Sequence, residues 1–271
     1  MTFEILPHVL RVHFPEFTEE DKKKPENETR WPPKSNLSNL SEWEAALFMD
    51  VKIPSEHKIY GKQYAGEVQI GHKFEDRVII ISFMLDYEND THNNQFQQFI
   101  YEWEEVNAKT VVDCYNELVS EDEKVPYNRT HPILDDEKMA EIWGFDTKTR
   151  SNFDLFDMLP TVYYFGYYGS YTSPPCTERV HWRVMDLPMQ ISHAQFTALQ
   201  SLFLDQVNKD CETDNNVAFQ GGVNRPIQQY KKDIWHCNTN FWKPLDRTKW
   251  CDKWPENYHG YHKLKKMGEC Q

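Results

Sequence analysis

"FMDVKIPSEHKIYGKQYAGEVQIGH", residues 48–72, is the stretch whose reading decides the fold. Two extended runs, 45–52 and 66–72, flank a short polar turn. Side chains two apart on a strand share a face, so Asp50 and Lys52 stand together. Glu67 and Gln69 form the matching pair on the second run. A lone buried charge there is expensive, so we expect Asp50 and Lys52 to pair, with Glu67 and Gln69 opposite. The stretch reads as two strands that set a carboxylate, an ammonium and an amide on a shared face.

Working outward, "RVIIISFMLD" (77–86) is apolar enough for the middle of a sheet. Residues 3–14 alternate as a strand would, and 15–42 read as a long exposed loop rich in proline and polar residues. Helical spacing in "NNQFQQFIYEWEEV" and "DDEKMAEIWGF" marks 88–155 as an acidic, helical, solvent-facing insertion. "YYGSYTSPPCTERVHWRVMDLPMQIS" (167–192) returns to strand and turn chemistry, and Ser192 is a natural N-cap for the apolar helical run that follows. The last residues, 231–271, form a Cys-, Trp- and Lys-rich tail beyond a first unit spanning 1–230. Many strands and few helices predict a mostly β (α+β) domain.

Composition narrows the class. A net charge of −13 argues against nucleic acid as the main partner, because phosphate binding needs a basic surface. No run of eighteen apolar residues occurs, so no membrane-spanning helix is expected. Five Asn-x-Ser/Thr sequons, at Asn27, Asn36, Asn39, Asn89 and Asn128, lean towards a secreted or lumenal glycoprotein. Six cysteines form an even set without a Cys-x-x-Cys pair, which fits disulfides in an oxidising compartment better than a zinc ribbon. The opening "MTFEILPHVLRVHFPEF" lacks the plan of a signal peptide, so we expect the numbering to begin after processing or after a missing start.

Two segments carry a resemblance. "IPSEHKIYGKQYAGEVQIGH" is similar to the active-site strand pair of the α-class carbonic anhydrases, and "YYGSYTSPPCTERVHWRVMDLPMQIS" resembles that family's gatekeeper stretch. Weaker support comes from "LPHVLRVHF" (6–14) and "NRPIQ" (224–228), which fall in the same order. The resemblance implies a twisted, largely antiparallel central sheet with a conical pocket. There, three histidines hold zinc and an open fourth position generates hydroxide for attack on carbon dioxide.

Carried over residue by residue, the three ligand positions fall on Asp50, Lys52 and Gln69. A lysine repels a divalent cation and an amide oxygen is a poor zinc ligand, so zinc is expected to be absent and no cofactor is expected. The remainder of the implied site persists. Glu67 matches the carboxylate that orients the third histidine. Thr172 and Glu56 match the gatekeeper hydroxyl and its partner, Ser173 is the neighbouring hydroxyl, and His8 falls near the proton-shuttle position. Val180 and Trp182 match the pocket wall. Glu67, Glu56 and His57 can also be retained as a buried hydrogen-bonded network, His8 as a polar pocket residue and "TSPPC" for its turn geometry. The family's N-terminal region has no counterpart here, so Cys176 needs a partner in the tail or upstream.

Two functions follow from this reading. One is a catalytically inactive carbonic anhydrase-like protein serving as a structural or binding module in an extracellular or lumenal assembly, with protein partners. The other is an active carbonate dehydratase with an atypical metal site. The aromatic tail (Trp235, Trp242, Trp250, Trp254, Tyr258, Tyr261) either forms an interface or covers the domain itself. No base–nucleophile pair for a different hydrolase is visible.

Overall fold

The computed structural model describes residues 1–15, 18, 20, 23, 34–35, 44–74, 77–131, 158–161, 163–204, 206–208, 210–212, 224–228 and 234–238. Among them a ten-stranded sheet runs in the order β1 (Thr2–Leu6), β2 (Val9–His13), β4 (Glu44–Lys52), β7 (Gly66–Phe74), β8 (Arg77–Asp86), β10 (Val180–Met185), β9 (Tyr163–Gly169), β12 (Trp235–Asn238). β3 (Lys34–Ser35) pairs β4 and β11 (Met189–Gln190) pairs β8, while β5 (Lys58–Ile59) and β6 (Lys62–Gln63) make a separate small hairpin. All pairings are antiparallel except those of β8 with β10 and β11. The fold is therefore mostly β with a largely antiparallel central sheet, as the sequence predicts.

Two expectations about elements need correcting. Residues 3–14 make a hairpin and not one strand, because the Pro7–His8 turn folds β2 back on β1 in the register Leu6↔Val9. The helix predicted after residue 88 forms as α1 (Asn94–Leu118), with Asn93 accepting from the Phe96 amide at 2.9 Å, yet it does not face solvent along its length. Phe96, Phe99, Ile100 and Trp103 recur at helical spacing and are 0–2% exposed against Val12, Val51, Phe83 and other sheet residues. Burying four such side chains contributes about 1.5–3 kcal/mol each, so α1 is a core element. The second predicted helical segment, 135–145, lies outside the described residues.

α2 (His193–Leu204) begins as Ser192 forecasts. Ser192 Oγ accepts from the Gln195 amide at 3.2 Å, and the Ser192 amide donates to Gln195 Oε1 at 3.0 Å, a reciprocal capping box. The apolar backs of β4, β7 and β8 pack on both helices. The opposite face of the same strands is left for polar side chains, and that alternation positions the site.

Candidate functional site

Strand register brings the polar residues together. Asp50 lies opposite Gln69, Lys52 opposite Glu67, Arg11 opposite Asp50 and Ser82 opposite Gln69, so all six share one face across four strands. Asp50, Lys52, Glu67, Gln69 and Ser82 are each no more than 5% exposed. The turn after β4 then adds Glu56 and His57. It is pinned through Ser55, whose carbonyl accepts from Gln63 at 2.8 Å and Asn224 at 2.9 Å.

Lys52 occupies the centre. Its Nζ donates to Glu56 Oε2 at 2.9 Å, Thr172 Oγ1 at 2.9 Å and Ser173 Oγ at 3.0 Å. These three bonds account for all three donors of an ammonium. The expected pairing of Lys52 with Asp50 is thus corrected. Glu56 lies closer to the lysine head, and Asp50 turns instead to Arg11, which grips it in a two-bond fork at 2.6 and 2.7 Å.

Gln69 donates through Nε2 to Glu67 Oε1 at 2.8 Å and Glu56 Oε2 at 3.1 Å, which links the two carboxylates. Glu67 further accepts from Ser82 Oγ at 2.6 Å, from the amides of Glu56 and His57 at 2.9 and 2.8 Å, and from His57 Nδ1 at 2.7 Å. Burial pushes the Glu67 carboxyl up, but the charge and hydrogen bonds of His57 and the Ser82 bond outweigh it and hold it at about 2. For His57 burial works downwards, and the charge and hydrogen bond of Glu67, with the field of Glu56, raise it above its ordinary value. His57 Nε2 lies 2.6 Å from the Tyr167 hydroxyl, which burial and the two carboxylates push upward.

The remaining predicted residues fall around this network. Thr172 and Ser173 sit in a loop held by Trp182 Nε1 on the Ser170 carbonyl at 3.0 Å and by Arg225 on Ser170 Oγ and the Tyr171 carbonyl. Trp182 stands edge-on to the His57 ring at 4.7 Å, and Val180 packs in the same cluster, so both form a wall. His8, in the β1–β2 turn, is lowered by burial and by the charge of Lys52, and Asp50 and Arg11 act on it too, which places it at the rim of the same group.

Sequence reasoning missed Arg11, Ser82 and Tyr167 as members of the network. The signal for Arg11 was a charged residue between Leu10 and Val12 on an alternating strand; for Tyr167 no local signal exists, because His57 is 110 residues away. Of the cysteines, Cys114 and Cys211 form a disulfide and Cys176 carries a free thiol at φ 57. Cys251 and Cys270 lie outside the described residues, as do Asn27, Asn36 and Asn39.

As a metal cradle the donor set does not fit. A cation fills the middle, Asp50 is engaged by a guanidinium, and the Gln69 amide nitrogen points at carboxylates. Among the described residues no three His, Cys, Asp or Glu side chains gather where they could hold an ion. The arrangement is a closed ring of complementary charges, with Lys52, Glu56, Glu67, His57, Asp50 and Arg11 each facing an opposite partner.

Comparison with known proteins adds the lineage. The profile of eukaryotic-type carbonic anhydrase matches residues 48–233, more than half of the chain. Carbonic anhydrase 6 of Canis lupus familiaris is 26% identical over 162 residues, covering 59% of this chain and 43% of that protein. Carbonic anhydrase 4 of Rattus norvegicus is 28% identical over 190 residues, covering 64% and 50%. The chain spans about half the length of the curated relatives it matches. A fungal alpha carbonic anhydrase from Aspergillus oryzae aligns in structure with a TM-score of 0.47 at 15% identity, covering 74% of this chain and 65% of that one.

Proposed function

Since the chain belongs to the eukaryotic-type carbonic anhydrase family, we propose that it is a catalytically silent member, with Lys52 standing in for the metal. Its scaffold then serves as a structural or binding module in an extracellular or lumenal assembly. The observation that carries this reading is the saturated Lys52 ammonium, wedged between Glu56 and the Thr172 and Ser173 hydroxyls. A divalent ion set beside it meets a like charge in a buried site, which is strongly unfavourable. Nothing in the network offers a nucleophile with a free base beside it.

The Cys114–Cys211 disulfide supports an oxidising compartment. No helix is long and apolar enough to cross a membrane among the described residues. Exposed aromatics along the β9–β12 edge, Tyr168 at 54% and Trp235 at 38%, support a binding role. Trp235 also lies across Gly166, where an added Cβ would sit 2.3 Å from its Nε1, so it partly covers the domain itself.

The test is elemental analysis of purified full-length protein beside a carbon dioxide hydration assay. Substoichiometric zinc and hydration no faster than buffer are expected. The triple variant Asp50→His, Lys52→His, Gln69→His is the positive control, since it places three imidazoles on one face and should take up zinc. About one zinc per wild-type chain with sulfonamide-sensitive hydration would overturn the proposal.

A further inference from the structure

Two sequons take no part in the central network, and their surroundings differ in an informative way. We infer that Asn89 and Asn128 both carry N-linked oligosaccharides, and that Asn128 receives its glycan before its segment docks on α1. The chemistry joins Asn Nδ2 to the anomeric carbon of a lipid-linked oligosaccharide. The bond from that carbon to the lipid pyrophosphate breaks, the pyrophosphate leaves, and the amide proton passes to a base of the transferase.

Asn89 sits in a turn fixed on both sides. The Asp90 amide donates to the Tyr87 carbonyl at 3.0 Å, Asp90 Oδ1 accepts from the His193 amide at 2.7 Å, and Tyr87 stacks on Phe196 at 4.5 Å. Asn89 itself is exposed, and its side-chain amide makes no hydrogen bond among the described residues. Its acceptor hydroxyl, Thr91 Oγ1, makes only a long contact of 3.3 Å to the Asn89 carbonyl. A transferase therefore meets a free amide and a nearly free hydroxyl in the folded protein.

Asn128 is also exposed and makes no side-chain hydrogen bond among the described residues, because its neighbours turn inward. The Tyr127 hydroxyl reaches Glu105 and the Arg129 guanidinium reaches Glu102, so on an extended segment the residue between them points out. Its acceptor hydroxyl is committed, however. Thr130 Oγ1 donates to Glu105 Oε1 at 2.6 Å, and the Thr130 and His131 amides bond the same carboxylate. Burial pushes Glu105 up, and these bonds with that of Tyr127 overcome it and hold it at about 2, so the clamp stays charged and closed at neutral pH. Two half-buried asparagines that do serve the fold contrast with these two. Asn93 caps α1, and Asn116 exchanges two bonds with the Val125 backbone.

The experiment expresses the full chain behind a secretion leader in eukaryotic cells and releases glycans with peptide N-glycosidase in 18O water. Labelled aspartate is expected at both 89 and 128. Asn89→Gln and Asn128→Gln should each remove one glycan's mass and leave the Cys114–Cys211 disulfide intact. An unlabelled residue at either position overturns the assignment there. For the order of events, folded unglycosylated protein is given the transferase and a lipid-linked oligosaccharide. Asn89 should be modified at least about tenfold faster than Asn128, with the gap closing in urea, because the Thr130 clamp must open first. Equal rates on the folded protein would overturn the proposed order.

Discussion

Replacing Lys52 by Met keeps the length and bulk of the side chain but removes its charge. In the structure Lys52 and Glu56 are both about 6% exposed and 2.9 Å apart. At an effective dielectric near 20 their attraction is about 6 kcal/mol, offset in part by the desolvation of both groups. Glu56 would keep only the Gln69 bond at 3.1 Å, and Thr172 and Ser173 would lose their donor. Removing one partner of a buried pair costs about 3–5 kcal/mol, so the melting temperature should fall by about 10 °C. The companion variant Lys52→Met/Glu56→Gln discards both charges and should recover most of that loss. The assay is urea unfolding at pH 7 followed by tryptophan fluorescence, since Trp182 lies 4.7 Å from His57 in the same network. A single variant within about 1 kcal/mol of wild type, or a double variant no more stable than the single, refutes the idea of Lys52 as the compensating cation.

Three further outcomes are expected. Glu67 is held at about 2 against an ordinary 4.5, so its contribution is complete above pH 4.5 and fades as pH falls from there towards 2; about 3 kcal/mol should vanish over that window, and Glu67→Gln, destabilised at neutral pH, should show a flatter acid limb. The raised His57 works in the other direction, its share being full below pH 6.5 and lost as pH climbs through the raised value, and because it is the same contact it is counted once. Glu105→Ala deletes the acceptor of Thr130, His131 and Tyr127 and should cost about 3 kcal/mol, with faster hydrogen exchange at the amides of 130 and 131 as the specific readout; unchanged exchange there would contradict the clamp. Gly166→Ala drives a Cβ against the Trp235 indole and should cost about 1–3 kcal/mol while loosening β12, seen as lost protection at Asn238.

Local pattern was enough for much of the frame. β4, β7 and β8 appear at or within two residues of the expected bounds, because alternation and apolar runs are properties of the strand itself. The helix after Ser192 was legible for the same reason, its cap being written in adjacent residues. Tertiary partners were not. Whether α1 is buried depends on Val12, Val51 and Phe83 lying beneath it, and nothing within residues 93–106 states that. The central register, with 50, 52, 67 and 69 on one face, follows from period-two geometry and was foreseen. Which cation meets which carboxylate was not, because Arg11 reaches Asp50 across 39 residues and the choice is made by side-chain length and strand order.

The link between Cys114 at the end of α1 and Cys211 beyond α2 spans 97 positions, and within that interval lie β9, β10, β11 and α2. One peptide bond cut anywhere inside the interval therefore yields no separate fragments. The two halves remain a single covalent particle until a reductant arrives, so a single cut in that interval opens the surface of this protein without dividing it.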